Sequence, residues 1–344
     1  MGKFVTRFCA GLYSSRRINA ASWLLAASLL TIATIPAWAA AKAIIHTSLN
    51  SMTLSSEANH IAVIYPDVAE PYRSVFAEII SGIEEKARGR VITVAVGAEV
   101  DAGELNDSLR RQGVRVVIAL GRQGMKAASV LDHNMDVVVG GVLAAQNNDV
   151  RNMQVNILSP DPALLFSRLK GMMPKVRRVF VVYDPRQSEW MMRLAKSAAR
   201  SQELELIVYE AQDLRSAMRA YQDIFATADR RQDALWLPQD STTVEEGTVL
   251  PLVLQESWAH NLAVFSCSFD HVKRGALFSM YPDNVELGRR LAVSALPLLA
   301  SGTGAASGMT PLREVLTALN LRTAKHLGVD AVHAQGFDMT FPEP

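Results

Sequence analysis

The feature that most constrains this chain is a pattern written twice. Ile61-Ala-Val-Ile-Tyr65 is a short apolar run closed by Pro66-Asp67, and Arg178-Val-Phe-Val-Val-Tyr183 is a second run closed by Asp184-Pro185. Runs of this length, apolar at successive positions, fit strands buried on both faces of a helix-covered parallel sheet. Each run heads an alternation of strand-like and helix-like segments. After the first come Val75, Ile79, Ile80 and Ile83 at helical spacing, a strand at 91–96, and a short helix carrying Leu105 and Leu109 that Gly113 stops. A strand at 114–120, a loop at 121–124, a helix at 125–131 and a strand at 137–142 follow.

The pattern restarts after 152–158. Ser159-Pro160-Asp161-Pro162 is a helix-start signal with Pro in the first turn, and Leu164, Leu165, Leu169 and Met172 supply an apolar face. Beyond the second run the reading gives helix 190–201, strand 204–209, helix 214–226, strand 234–237 and a long helix 244–260. A strand at 262–265, a polar turn at 266–270, a strand at 276–279 and a helix opened by Pro282-Asp283 come next. A Gly- and Ser-rich connector at 302–308, a last strand at 311–316 and a short helix at 323–327 close the pattern, and 335–344 reads as a loosely ordered tail. Alternation of this kind predicts an α/β protein with two similar lobes, each a parallel sheet flanked by helices, with a cleft between them.

A chain of 344 residues can hold two cores. Its hydrophobic fraction of 49% and charged fraction of 20% fit a globular protein. Net charge is +1, which offers no polybasic surface for nucleic acid. Lys3, Arg7, Arg16 and Arg17 are the only charges in the first 39 residues, and an apolar run at 20–38 follows them. With the small-x-small sequence Ala37-Trp38-Ala39, this reads as a cleavable secretory signal at 1–39, followed by a linker at 40–57. The rival reading is a membrane anchor at 20–38, since about 19 apolar residues can span a bilayer. Cys9 precedes the apolar run and lies in no lipobox. Cleavage would leave Cys267 alone, without an intramolecular disulfide, as a small buried hydrophobe at a strand end.

Signatures of catalysis are missing from the sequence: no His-Glu-x-x-His, Cys-x-x-Cys, Gly-x-Ser-x-Gly or phosphate-cradling loop, and no histidine pair at metal-ligand spacing. The expectation is therefore no metal, no cofactor and no enzyme activity. An unrecognised enzyme using Asp240 or Asp270 as a base is the rival. What recurs is polar residues just past strand ends: Tyr65-Pro66-Asp67, Arg122-Gln123, Asp184 with Gln187, Gln239-Asp240-Ser241-Thr242, and Ser266 to Asp270. In parallel sheets such loops face the crevice at the carboxyl ends of the strands. His271, in the last of these turns, reads as a polar loop residue.

The segment Ser268, Asp270, Val272-Lys273-Arg274-Gly275-Ala276-Leu277, Ser279, Pro282-Asp283 and Glu286-Leu287-Gly288-Arg289 resembles the periplasmic substrate-binding proteins of ABC transporters, in the branch related to tryptophan- and tyrosine-binding lipoproteins. Asn320-Leu321-Arg322-Thr323-Ala324-Lys325-His326-Leu327-Gly328 is similar to the ending of that family. The resemblance spans roughly residues 58–330. It implies the type I periplasmic binding fold, with lobe 1 at 58–157 plus about 282–308 and lobe 2 at 158–281 plus about 309–330, leaving a tail at 331–344. The hinge crossings are expected near 157–159, 279–282 and 309–311.

By the same resemblance Asp240-Ser241-Thr242 and the Ser268/Asp270 turn would sit at the ligand. Where relatives carry Ala-Thr-Pro-Ser/Ala against a ligand carboxylate, this chain has Leu120-Gly121-Arg122-Gln123, and Arg122 could clamp an anion instead. The predicted ligand-binding set is Tyr65, Arg122, Gln123, Asp184, Asp240, Ser241, Thr242, Ser268 and Asp270. The implied function is that of a monomeric, exported, periplasmic protein that captures a small solute, of amino-acid or small-carboxylate class, and delivers it to an inner-membrane ABC permease. The alternatives are a ligand sensor, or a degenerate scaffold of the same fold acting through a membrane partner.

Overall fold

A computed structural model describes residues 60–143, 153–301, 307–329 and 336–342. The expected signal, the linker, Cys9 and most of the Gly/Ser connector lie outside the described residues. The first α/β unit runs β1 (His60–Pro66), α1 (Tyr72–Ala87), β2 (Val91–Val96), α2 (Ala102–Arg111), β3 (Val114–Leu120), α3 (Gly121–Ala128), β4 (Asp136–Val142) and β5 (Gln154–Pro160). The second runs α4 (Pro162–Met172), β6 (Arg178–Tyr183), α5 (Pro185–Ser201), β7 (Glu205–Glu210), α6 (Leu214–Thr227), β8 (Asp233–Leu237), α7 (Val249–His260), β9 (Ala263–Ser266), α8 (Phe269–Arg274) and β10 (Phe278–Pro282). The chain then returns to the first unit for α9 (Asn284–Ser301) and β11 (Gly308–Leu312), and ends in the second with β12 (Val315–Asn320), α10 (Leu321–His326) and β13 (Met339–Phe341).

Two sheets result. The first has the order β11-β5-β4-β3-β1-β2 with every pair parallel, and the second has β13-β12-β10-β9-β8-β6-β7 with one antiparallel pair, β10 against β12. The expected two-lobed α/β architecture is thus observed, with parallel pairing dominant. Both sheets are covered on both faces, so each has two separate apolar layers. Ile64, Val117 and Val139 belong to one layer of the first sheet, while Ile61, Val116 and Leu291 belong to the other. In the second lobe Phe166, Trp236, Phe265 and Phe278 form an aromatic core, with Phe166 edge-on to Trp236 at 5.6 Å.

The second lobe's helices begin where local chemistry dictates. The Asp161 carboxylate accepts the Ala163 amide, with Pro162 following. Asp184 accepts the Arg186 amide, with Pro185 following. Asp213 and Ser216 make a reciprocal capping box at the start of α6. In the first lobe α1 packs on α9 through a close contact. A Cβ at Gly82 would lie 2.0 Å from the Val285 carbonyl oxygen, and one at Gly288 would lie 2.0 Å from that of Ile79.

The chain passes between the sheets three times, at Asp161, at Asp283 and at Arg313-Glu314. These points lie slightly beyond the expected ones because Pro160, Pro282 and Leu312 still pair as strand residues. The crossings are tied together: the Asp161 carboxylate pairs with Arg313 at 2.9 Å, and the Asp283 amide donates to the Glu314 carbonyl at 3.0 Å.

Four local expectations are corrected. The strand expected at 311–316 is two strands in different sheets, split at Arg313-Glu314. The helix expected to start at 244 starts at Val249, because the Glu245 carboxylate accepts the Gly247 and Thr248 amides and holds a turn there. The polar turn at 266–270 ends in a helix at Phe269, which Asn320 steadies by donating to the Val272 carbonyl. The tail is not patternless: Met339–Phe341 pairs with β12, and the Asp338 carboxylate accepts from the amide and hydroxyl of Thr317. Among the described residues no helix is long and apolar enough to cross a membrane.

Candidate functional site

The carboxyl ends of the two sheets face each other across a cavity of about 520 Å³. This volume is in the range of small-ligand sites. The first lobe contributes Phe76 from α1, Gly121 and Arg122 from the start of α3, and Gly141 and Val142 from the end of β4. The β3–α3 junction is abrupt. Gly121 has φ +69°, and a Cβ there would meet the Phe76 ring at 3.0 Å, so only glycine fits this turn. Arg122, next in sequence, is exposed to the cavity and has no carboxylate partner among the described residues.

The second lobe contributes Gln187 at the start of α5, Gln239 to Ser241 after β8, and Ser266, Cys267 and Ser268 after β9. Glu246 and His271 complete that wall. A dense polar network fixes these loops. The Asp240 carboxylate is 4% exposed and accepts four hydrogen bonds. The Thr242 and Thr243 amides donate to Oδ1 at 3.0 and 3.1 Å, while the Asp184 amide (2.7 Å) and the Ser188 hydroxyl (3.1 Å) donate to Oδ2. Asp184, itself fully buried, pairs with Arg186 at 2.6 Å and accepts from the Thr242 hydroxyl at 3.1 Å. The Arg186 guanidinium holds the Asp184 carboxyl down at about 2. Gln187 donates to Thr242 at 2.7 Å, which ties the strand-end loops of β6 and β8 together.

Of the predicted ligand-binding residues, Arg122, Asp240, Ser241 and Ser268 line the cavity. The structure does not bring the others to it. Tyr65 packs at the margin of the first lobe's core, and Gln123 has its Oε1 buried. Asp184 and Thr242 face into the network behind the wall. Asp270 points to solvent, with its side chain 70% exposed, and pairs with Lys273. Asp240 reaches the lining with its acceptor capacity already filled by protein donors. Neither aspartate is therefore placed as a base. Phe269 packs on Tyr281, ring centre to ring centre, at 5.3 Å.

Sequence reasoning missed Phe76, Glu246 and the role of His271. Phe76 carried no signal, being one apolar residue on a helix. His271 is 6% exposed, lines the cavity and sits 2.6 Å from the Ser266 hydroxyl through Nδ1. Burial pushes its pKa below the usual histidine value. Burial likewise pushes the Cys267 thiol up to about 12, which keeps it protonated and unreactive. Among the described residues no group of three or more His, Cys, Asp or Glu side chains is placed to hold a metal ion.

The model of the ABC transporter substrate binding protein family matches residues 165–334, a stretch that takes in most of the second lobe. Among curated proteins none matches the sequence. Solved structures share the fold at low identity. The ligand-free, open structure of a substrate binding protein with adhesive properties from Clostridium difficile superposes with a TM-score of 0.58 at 14% identity, covering 82% of this chain and 98% of that one. A conserved domain protein from Vibrio cholerae superposes with a TM-score of 0.51 at 16% identity, covering 82% and 99%. The chain is thus a two-lobed α/β protein of the type I periplasmic-binding fold whose residues 165–334 match the ABC transporter substrate binding protein family.

Proposed function

We propose that this protein captures a small solute in the inter-lobe cleft and hands it to an ABC permease. The family match supports a solute-binding role. The observation that carries the reading is the cavity itself. It lies at the carboxyl ends of both sheets, and three crossings are the connections about which the lobes would close on a ligand. The chain acts by binding and conformational change, and the work of transport belongs to its partner.

The solute carries an anionic group, in keeping with an amino acid or small carboxylate. Arg122 supports this, being a guanidinium exposed to the cavity with no carboxylate partner among the described residues. An exported, periplasmic and monomeric protein is part of the proposal, resting on the basic and apolar pattern of residues 1–39 and on the family match.

A thermal-shift screen against amino acids, small carboxylates, sugars, nucleosides and phosphonates tests the reading. A ligand present at about 100 times its Kd stabilises a two-state protein by about 2.7 kcal/mol, a rise of several degrees at this size. Arg122→Ala should abolish the shift given by the hit while leaving the unliganded melting temperature in place. A flat response across the panel would move the protein to the sensor or scaffold alternative.

A further inference from the structure

We propose that His271 is a ligand-contacting residue of this cleft, presenting an Nε2–H donor to an anionic oxygen of the bound solute. The proposal rests on the solute-binding reading and adds to it a specific residue, a protonation state and a pH dependence.

The geometry begins at Ser266, at the end of β9 and 0% exposed. Its hydroxyl oxygen accepts the Ser268 amide at 3.1 Å and lies 2.6 Å from His271 Nδ1. Two proton arrangements are possible. If Nδ1 carried the proton, the Ser266 oxygen would accept twice, and its own proton would be left without an acceptor in a fully buried position. If the hydroxyl donates to Nδ1, both the Ser266 hydroxyl and Nδ1 are satisfied. The second arrangement puts the ring proton on Nε2. That nitrogen makes no hydrogen bond among the described residues. It is 3.9 Å from Glu246 Oε1, beyond hydrogen-bond range, on a ring that lines the cavity. Glu246 is turned largely to Arg274, which approaches its carboxylate at 3.7 Å and donates to its carbonyl at 3.0 Å. A buried polar ring is thus held in one tautomer by a buried serine and kept on the cavity wall with a donor unspent.

Arg122 supplies the opposing cation from the first lobe, so an anionic group seated between the two would draw the lobes together. The charged groups around His271 are Glu246 ahead of α7, Asp270, Lys273 and Arg274 on its own helix, and Arg122 across the cavity. Asp240 also lines the wall, with its oxygens engaged by protein donors. In the free protein burial is the largest influence and lowers the pKa of His271. A bound anion opposes that effect by favouring the imidazolium. Affinity for an anionic solute therefore rises as pH falls into the range where His271 takes up a proton.

The test is a pair of measurements on the full chain. Nitrogen-15 spectra of the histidine rings should show His271 protonated at Nε2 at pH 8, with Ser266→Ala losing that single tautomer. An Nδ1–H ring in the wild-type protein would overturn the proposal. Titration calorimetry with L-glutamate, succinate, inorganic phosphate and methylphosphonate, at pH 5.5 and 8.0, supplies the second readout. The strongest probe should bind more tightly at pH 5.5. His271→Ala should weaken it about tenfold or more, and His271→Gln, which keeps a donor near Nε2, should recover most of the affinity without the pH dependence. Equal binding by wild-type protein and His271→Ala at both pH values would refute the role of His271 while leaving the cleft a binding site. No binding by any probe to wild-type protein would overturn both the anion assignment and the proposal. A thermal shift with a neutral solute in that case would keep the solute-binding reading alive.

Discussion

The two lobes present unlike walls to the same cavity. The second lobe builds its wall from polar side chains that are already bonded to each other. Asp240 takes four protein donors, Asp184 is locked to Arg186, and Ser266 is locked to His271. The first lobe offers glycine turns, a phenylalanine and one unengaged guanidinium. The contrast shows that polarity at a strand end has two uses. Buried carboxylates with filled acceptor sites shape a loop, and a group with spare capacity beside the cavity is what a ligand can meet. The stretch matching the family model, 165–334, covers the shaped wall, whereas Arg122 lies outside it.

The sharpest way to break this comparison is to remove the central carboxylate. Asp240→Ala strands four buried donors and should cost roughly 3–5 kcal/mol, read from urea unfolding midpoints. A loss under 1 kcal/mol would mean that the network does not hold the wall. Next comes Gly288→Ala in the first lobe, where the added Cβ meets the Ile79 carbonyl at 2.0 Å and α9 must shift from α1. Overpacking of this kind costs about 1–3 kcal/mol.

The buried Asp184 carboxylate, held by Arg186 and by Thr242, should give about 2 kcal/mol that depends on pH. The folded-state pKa is depressed to about 2, so the contribution is present above the unfolded carboxylate value near 3.9 and is lost as pH falls toward 2. Acid titration of wild-type protein against Asp184→Asn checks the sign, since the variant should lack that part of the slope. The smallest effect on stability belongs to Arg122→Ala, within about 0.5 kcal/mol, although it should remove ligand binding. Cys267, with its thiol near 12, should resist alkylation at pH 8 until the protein unfolds.

Much of the fold was legible because the strand runs are apolar throughout and their terminators are Pro and Asp. The mirror between Ile61 to Tyr65 and Arg178 to Tyr183 is seen in β1 and β6, each next to an edge strand of its sheet. Less legible was anything decided by distant partners. An Asp-Ser-Thr sequence after a strand reads the same whether it meets a ligand or closes on itself, and the donors that reach Asp240 from Asp184 and Ser188 are visible only in the fold. The short helix that buries His271 is steadied by Asn320, 48 residues further on. The start of α3 at Gly121 carries no side-chain cap, so nothing in the sequence distinguishes it from a loop. Arg122 was picked out because it departs from the family pattern, and the structure places it on the cavity wall.

The most direct test of the central claim is an inter-lobe distance. Spin labels at Lys126→Cys on α3 and Arg193→Cys on α5, in a Cys9→Ser background where buried Cys267 stays unlabelled, report the separation of the lobes by pulsed electron resonance. Titration with the solutes of the thermal-shift panel should convert a longer distance to a shorter one, saturating at one ligand per chain, with Arg122→Ala unresponsive. A distribution that no solute alters, in protein that is folded and labelled on both lobes, would contradict capture by closure.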